Sequence, residues 1–388
     1  MLITAERIVT GTEVFSPGWL EVTGTVVTAL GSGLGAGVPA GTPAYALGAV
    51  TVVPGFVDIH THGGGSGAFP DAVPESSLAS RDLHRRHGTT SMIASLVSAH
   101  PAELLRQVGV LAEQVQDGLL AGIHLEGPWL SSQRCGAHEP TALRDPEPSE
   151  IDRVFAAGKG TVRMVTIAPE LHGALPAIRR IVDAGAVAAI GHTDASYEQA
   201  RAGIAAGARV ATHLFNAMRP LHHREPGPIT ALVEDPRVTI ELINDGVHLH
   251  PALYRNATKW VGPDRVALIT DAMAAAGMSD GAYSLGALDV EVTNGVARVA
   301  GTNTIAGSTA TMDRVFRNAV LGSGLERAAA LRLAVQQASV NPARALGLAA
   351  GDLVAGGPAD LVVLDKDLQV SGVLHQGAWV AGVQQSRR

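Results

Sequence analysis

The chain contains six residues of the types that bind metal ions or move protons, and each lies near the end of an apolar run. They are His60, His62, Glu126, His192, His213 and Asp271. Imidazole together with carboxylate suits Zn²⁺, and also Fe²⁺, Mn²⁺ or Co²⁺. Such metals lower the pKa of water towards about 7, and Asp271 suits a general base and later acid. The pattern therefore predicts a metal-dependent hydrolase that cleaves an amide or related C–N bond.

These residues predict one or two ions with different ligands. Glu126, His192 and His213 would form one position, and His60 with His62 would hold a second ion with Glu126 as a bridge. Any of these residues alone has an ordinary explanation, such as a core histidine or a residue that closes a strand. Several ionisable groups buried at one end of a fold are costly unless they are paired or metal-bound, and this favours the metal site.

Eight apolar runs are typical of strands, and helix-like segments follow most of them. The strand candidates are Phe56–His62, Thr90–Val97, Ala121–Gly127, Val162–Pro169, Val187–Thr193, Ala208–Phe215, Thr239–Asp245 and Arg265–Ala272. The helix candidates include Pro101–Asp117, Ser196–Ala206 and Pro251–Val261. Strands that alternate with helices indicate parallel βαβ units, and eight of them predict a closed (β/α)8 barrel of the TIM type. A doubly wound open sheet is the alternative fold.

The alternation of side chains along a strand tests whether the candidates converge. His60 and His62 share one face of the first predicted strand, and His124 and Glu126 share one face of the third. The same alternation places the candidates of the fifth, sixth and eighth strands on one face, near the carboxyl ends. Barrel enzymes build their active sites at that end.

Both ends of the chain contain short strand-like runs, such as Leu2–Thr10 and Gln369–Leu374. Neither end has enough hydrophobic surface to fold alone. We therefore predict that residues 1–52 and 352–388 form one small β-sandwich domain and that residues 53–351 form the barrel.

Composition limits the partners and the compartment. Hydrophobic residues make up 46% of the chain and charged residues 17%, as in ordinary globular proteins. The net charge of −7 argues against non-specific nucleic-acid binding, and we find no apolar run fit to span a bilayer. The single cysteine, Cys135, excludes an intrachain disulfide. We expect a cytoplasmic enzyme with a small-molecule substrate.

Longer motifs around these residues resemble the N-acetylglucosamine-6-phosphate deacetylases of the amidohydrolase superfamily, over nearly the whole chain. The motifs are Pro54–Gly63, His124–Pro128, Gly136–His138, Gly191–Thr193, His213–Met218, Arg224–Gly227, Asn244–His248, Thr270–Ala272 and Ile305–Ser308. The resemblance implies deacetylation of an amino sugar phosphate, in amino sugar catabolism and cell-wall recycling, by a homodimer. It also implies one or two divalent ions, with zinc favoured.

The resemblance further implies roles for individual residues. Glu126, His192 and His213 match metal ligands, and Asp271 matches the catalytic acid and base. His138 matches a group that polarises the acetamide carbonyl. The residues that match substrate contacts are Ala137, His138, Asn216, Ala217, Arg224, His248, Ile305, Ala306 and Gly307. Some of these contacts are expected to cross the dimer interface.

Three other functions remain open at this point. A cyclic amidase of the dihydroorotase type would need a carboxylated lysine on a strand, whereas Lys159 lies between two glycines in a turn-like setting. A deaminase would leave the Arg224 region unexplained. A non-catalytic scaffold would be expected to lose ligands, yet all the candidates are present.

Overall fold

A computed structural model describes residues 1–33, 35 and 43–382. At its centre lies an eight-stranded sheet in which every recorded strand pair is parallel and neighbours in the chain are neighbours in the sheet. The barrel strands, first to eighth, are Phe56–Thr61, Thr89–Leu96, Gly122–Glu126, Val162–Ile167, Val187–Ile190, Val210–Ala211, Thr239–Ile243 and Val266–Ile269. The predicted fold class, a (β/α)8 barrel with an additional β domain, is confirmed.

The eighth strand meets the first through backbone hydrogen bonds just beyond its end. The amide of Asp271 donates to the carbonyl of His60 over 2.8 Å, and the amide of His62 donates to the carbonyl of Ala272 over 2.7 Å. These bonds close the ring of strands at its carboxyl end. The first and last candidates along the sequence, His60 and Asp271, are thereby brought side by side.

Helices alternate with the barrel strands. They are Pro74–Arg86, Pro101–Gln116, Pro148–Gly158, Ala174–Asp183, Tyr197–Ala206, Gly227–Glu234, Pro251–Val261 and Met312–Gly322, followed by Arg327–Val335, a π-helical turn at Gln336–Val340 and Asn341–Ala345. Proline suits a first helical turn because its missing N–H has no partner there, as at Pro101 and Pro251. Ser196 begins the fifth helix with a capping box that includes Gln199. The three predicted helices are present within one residue of their predicted ends.

The strands end earlier than the sequence predicted. His192, His213 and Asp271 lie beyond the last residues of their strands, with φ values of +47°, +28° and +49°. Strand alternation therefore does not orient these three side chains. The left-handed backbone at each strand end does so instead, because the chain turns there to begin a loop.

The chain forms two compact units. One comprises Met1–Asp58, His84–Ser91 and Met312–Arg388 within the described residues, and the other comprises Ile59–Leu83 and Met92–Thr311. The first unit contains a four-stranded and a six-stranded sheet built from both chain ends, and a shared core that includes Ile3, Leu20, Val52, Leu361 and Leu374.

Strands in order across the four-stranded sheet are Val26–Ser32, Gly18–Thr23, Leu2–Ala5 and Ala44–Ala46. Those of the six-stranded sheet are Ala378–Ala381, Val370–His375, Leu361–Leu364, Thr51–Pro54, Arg7–Val9 and Val14–Phe15. The predicted boundaries at 52/53 and 351/352 stay a prediction, and residues 34, 36–42 and 383–388 of the predicted β domain lie outside the described residues.

The second unit contains a three-stranded antiparallel sheet that the sequence analysis did not predict. Its strands are Gly281–Leu285, Leu288–Thr293 and Val296–Val299. Asn294 and Gly295 form the second turn with positive φ values of 52° and 71°, and an Asn-Gly pair is a strong signal for such a hairpin. The sheet supports the following loop, because the amide of Ala306 donates to Ala297 over 3.1 Å.

No helix in the described ranges is long and apolar enough to cross a membrane.

Phe316 anchors the core of the first unit through an aromatic contact. Its ring centroid lies 5.1 Å from that of Phe56, and both side chains are fully buried. We expect Phe316→Ala to lower the free energy of unfolding by about 3–5 kcal/mol, because it removes a buried ring and leaves a cavity. Urea denaturation measures the change. Leu321→Ala, at a residue 69% exposed, is the control and should change stability by less than about 0.5 kcal/mol; equal effects would contradict the assignment of Phe316 to the core.

Candidate active site and metal centre

The six candidate residues meet at the carboxyl ends of the barrel strands and form two overlapping groups. His60, His62, Glu126 and Asp271 form the first group. Glu126, His192 and His213 form the second. Within each group the nearest nitrogen and oxygen atoms lie within 4.8 Å of one another, and every member is buried. Glu126 belongs to both groups, which is the geometry expected of a bridging carboxylate.

The second group is the tighter one. Oε1 of Glu126 lies 3.0 Å from Nε2 of His192 and 2.9 Å from Nε2 of His213. The two Nε2 atoms are themselves only 3.0 Å apart. Three potential ligand atoms thus surround one point, and further coordination positions there are open towards the cavity.

The first group is slightly wider. Nε2 of His62 lies 3.1 Å from Oε2 of Glu126 and 3.2 Å from Oδ1 of Asp271. Nε2 of His60 lies 3.4 Å from each of the same two carboxylates and 3.3 Å from Nε2 of His62. Both histidines predicted for a second ion therefore face the bridging carboxylate.

Hydrogen bonds at the opposite ring nitrogens show what this donor set requires. Nδ1 of His62 contacts the carbonyl of Ser95 at 3.1 Å, Nδ1 of His192 contacts the carbonyl of Arg134 at 2.9 Å, and Nδ1 of His60 contacts a carboxylate of Glu241 at 3.1 Å. Carbonyls and carboxylates only accept, so each Nδ1 carries hydrogen. Nε2 of each ring then faces carboxylates and other Nε2 atoms, so this position favours a cation, either a proton on Nε2 or a metal ion. Imidazole and carboxylate donors with this arrangement fit a divalent metal ion.

The carboxylates of the site are ionised at neutral pH. Burial alone would raise the pKa of Asp271, but the charge of His60 and a hydrogen bond from His62 outweigh it and lower the pKa to about 2. The pKa of Glu126 is also lowered despite burial, mainly by His60 and His192. Burial opposes protonation of His62, yet hydrogen bonds to Asp271 and Glu126 raise its pKa to about 9. The pocket thus attracts positive charge strongly.

His138 has the opposite character. Burial lowers its pKa to about 4, with a further contribution from the charge of His192, so the ring is neutral at pH 7. Its Nδ1 accepts the backbone N–H of Ser98 over 3.1 Å. The ring proton therefore lies on Nε2, 3.4 Å from Oε2 of Glu126. His138 presents a hydrogen-bond donor beside the candidate metal ligands.

The groups open into a cavity of about 430 Å³. It is lined by most of the residues selected from the sequence: His62, Glu126, Ala137, His138, His192, His213, Asn216, Ala217, His248, Asp271, Ile305 and Gly307. Nδ1 of His248 donates to Asp245 over 2.9 Å, and this ion pair raises the pKa of His248 in spite of burial. Gly307 is constrained at this point, because a Cβ there would lie 2.8 Å from the carbonyl of Asp271.

Three of the selected residues do not line this cavity. His60 lies beneath it, fully buried. Ala306 is also fully buried, in an apolar cluster with Leu285 and Val290. Arg224 is exposed and its guanidinium contacts His223 at 2.8 Å. Its contact with the sugar phosphate stays a prediction.

The sequence analysis missed other residues of the site. Gln133, Arg134, Asn303 and Thr304 line the cavity, and Arg134 is paired with Asp194 at 2.7 Å. Gln133 and Arg134 lie in a 3-10 turn at Ser132–Arg134, and Asn303 and Thr304 lie in a loop, so periodicity carries no signal for them. A signal did exist for Glu241, which stands alone as a charged residue among the apolar side chains of a barrel strand.

Comparison with known proteins decides the family. The amidohydrolase family matches residues 51–383. The chain belongs to the amidohydrolase family. This confirms that it is a hydrolase, and the exposed position of Lys159 in a turn with φ +47° gives no support to a bridging lysine.

Similar proteins include several deacetylases. N-acetyl-D-glucosamine-6-phosphate deacetylase from Mycobacterium smegmatis is 61% identical, with a TM-score of 0.96, covering 98% of this chain and 100% of that one. An aspartate-to-alanine mutant of that enzyme in complex with N-acetyl-D-glucosamine-6-phosphate is 62% identical, with a TM-score of 0.95 and coverage of 98% and 99%. N-acetylgalactosamine-6-phosphate deacetylase from Escherichia coli is 38% identical over 85% of this chain and 87% of its own length. The predicted resemblance to the N-acetylglucosamine-6-phosphate deacetylases is confirmed.

The shared position of Glu126 leads to a direct test of the metal centre. We expect Glu126→Gln to lose metal from both groups, because an amide bridges two cations poorly. The affinity for the metal ion should fall at least about 100-fold, because loss of an outer-shell partner alone can lower it by that factor. Elemental analysis of dialysed protein measures ions per chain. Glu147→Gln, at an exposed residue, is the control; a Glu126→Gln protein with undiminished metal content would contradict the bridging role.

Proposed function

We propose that this amidohydrolase hydrolyses the acetamide of N-acetyl-D-glucosamine 6-phosphate to D-glucosamine 6-phosphate and acetate. One observation carries the proposal. A single cavity contains an ionised carboxylate, Asp271, a neutral N–H donor, His138, and the cluster of metal-type ligands between them. The deacetylases named above, which share up to 62% of their residues with this chain, support the choice of substrate.

Glu126, His192 and His213 would hold one divalent ion, and His60 and His62 with Glu126 would hold a second. We propose zinc as the metal, since these donors suit it and a position stays open for the substrate. When bound, such an ion lowers the pKa of water and polarises the amide carbonyl.

Asp271 acts as the general base and then as the general acid. Its low pKa keeps the carboxylate ionised, so that it can accept a proton from the attacking water. The carboxylate then returns that proton to the amine nitrogen as the C–N bond breaks. Asp271 lines the cavity, where both transfers would take place.

His138 stabilises the negative charge that develops on the carbonyl oxygen. The Ser98 amide holds Nδ1 as an acceptor, so Nε2–H points into the cavity as a donor. A fixed donor of this kind contributes most in the transition state, when the oxygen carries more charge. Because His138 is neutral over the whole range above its low pKa, the donor needs no protonation step.

We place the sugar phosphate against another part of the cavity wall. Asp245 raises the pKa of His248 and so favours its cationic form, the guanidinium of Arg134 adds positive charge, and Asn216 and Ala217 complete this part of the wall. Arg224 would reach the phosphate of a second copy in a homodimer. Ile305, Ala306 and Gly307 form the loop beside the sugar, with Ala306 as its buried support. We place the reaction in amino sugar catabolism in the cytoplasm.

Acetate release tests the substrate. We expect turnover of N-acetylglucosamine 6-phosphate at a kcat/KM at least about 100-fold above that of unphosphorylated N-acetylglucosamine, because charge-assisted hydrogen bonds to the phosphate are lost in the latter. N-acetylgalactosamine 6-phosphate is the second comparison, since a relative that is 38% identical is named for that sugar. Equal rates on the phosphorylated and free sugars would refute phosphate recognition, and faster turnover of the galactose isomer would reassign the substrate.

Asp271→Asn tests the proton transfer. We expect unchanged KM and a kcat about 100- to 10,000-fold lower, because the amide cannot accept the proton of water. Steady-state kinetics and metal analysis of the same sample separate the proton transfer from loss of metal. Asp183→Asn, at an exposed residue of a barrel helix, provides the control. Full activity of the Asp271→Asn protein with metal retained would remove Asp271 from the mechanism.

A further inference from the structure

One buried carboxylate of the second unit has no role in the mechanism described so far. Glu241 lies in the middle of the seventh barrel strand and is fully buried. Its neighbours in the strand, Ile240 and Leu242, are equally buried. A carboxylate is expensive to keep in such surroundings without a function or compensating contacts.

The contacts of Glu241 join the two groups of candidate ligands. Oε2 accepts a hydrogen bond from Nδ1 of His60 over 3.1 Å, and His60 belongs to the first group. The same oxygen accepts the backbone N–H of His213 over 3.1 Å, and His213 belongs to the second group. One oxygen atom thus holds one ligand of each group.

The contact with His60 determines which of its nitrogens can bind a metal. A carboxylate oxygen at Nδ1 keeps the ring proton there and leaves the Nε2 lone pair towards Glu126 and Asp271. It also raises the basicity of the ring, as carboxylate–histidine pairs do at metal sites. Without Glu241 the ring could rotate or carry its proton on Nε2, and the first group would lose a ligand.

The contact with His213 restrains a strained turn. His213 has φ +28°, which is uncommon for a residue with a side chain. The side chain of Glu241 binds its amide, and the main-chain carbonyl of Glu241 accepts the next amide, that of Leu214, over 2.9 Å. Two consecutive amides are therefore tied to one residue of a rigid strand, which aims the imidazole of His213 at Glu126.

We propose that Glu241 is a positioning residue that couples the two ion positions by fixing the ring of His60 and the turn at His213. The inference rests on the proposed metal-dependent function. The second carboxylate oxygen, Oε1, is buried without a hydrogen-bond partner among the described residues, and such an unsatisfied atom costs free energy of folding.

Two substitutions separate this role from a structural one. Glu241→Met removes both acceptors at similar volume and is expected to lower metal affinity by about 10- to 100-fold, in the range found for outer-shell partners. Glu241→Gln keeps an acceptor but loses the charge and should restore part of that affinity. Competition with a chelator measures zinc affinity and ions per chain, and thermal unfolding of the same proteins reports stability. Glu150→Gln, which removes another buried carboxylate, one paired with Arg144 at 2.5 Å, is the matched control and should leave zinc affinity unchanged.

The outcomes are distinguishable. A Glu241→Met protein that binds zinc as tightly as the unsubstituted chain would overturn the inference while leaving the proposed function intact. Failure of the unsubstituted chain to bind any divalent ion would overturn both. Nitrogen NMR of the zinc-loaded, unsubstituted chain with labelled histidine provides a test that needs no folded variant: we expect the His60 proton on Nδ1, and a proton on Nε2 would refute the positioning role.

Discussion

The convergence of imidazole lone pairs on one buried carboxylate is the constraint on which the rest of the structure depends. Glu126 faces the Nε2 atoms of the four candidate ligand histidines within 3.4 Å, in addition to Nε2 of His138. Lone pairs and negative charge packed this closely repel one another unless cations lie between them. Acceptors at Nδ1 prevent the rings of His60, His62 and His192 from turning away, and the backbone amide of His213 is held by Glu241. A site of this kind is built for metal ions, and the amidohydrolase chemistry follows from it.

The barrel supplies the rigidity that this repulsion demands. Below the candidate ligands, His124 bridges Ser95 and Thr166 at 2.9 and 2.8 Å, and Thr166 contacts Thr212 at 2.8 Å. This polar layer links the second, third and fourth strands to Thr212, the residue that follows the sixth strand. At the strand ends, backbone bonds hold the left-handed turns, for example from Ser308 to the carbonyl of Asp271 over 2.7 Å. The strained left-handed backbone at these turns is retained because contacts with the neighbouring strands hold it in place.

Much of this site was predictable from the sequence, and each part was predictable for a different reason. The eight apolar runs predicted every barrel strand, because parallel strands are buried on both faces and read as continuous hydrophobic segments. The residues at the ends of those runs predicted the two groups that the structure brings together. The three-stranded sheet at 281–299 was missed, although its Asn-Gly turn carried a signal. Arg134, in a short 3-10 turn, and Asn303, in a loop, could not be found, because neither segment has a periodic hydrophobic pattern.

The sequence by itself determined the types of chemistry-bearing residues and the order in which barrel strands deliver them, since both depend on local patterns of hydrophobicity and on the motifs. Only the tertiary structure decided how those residues point. Left-handed turns, rather than strand alternation, aim His192, His213 and Asp271, and Glu241 reaches a residue 181 positions away to hold His60. Orientation of this kind arises from contacts between strands distant in the chain, and no local pattern records them.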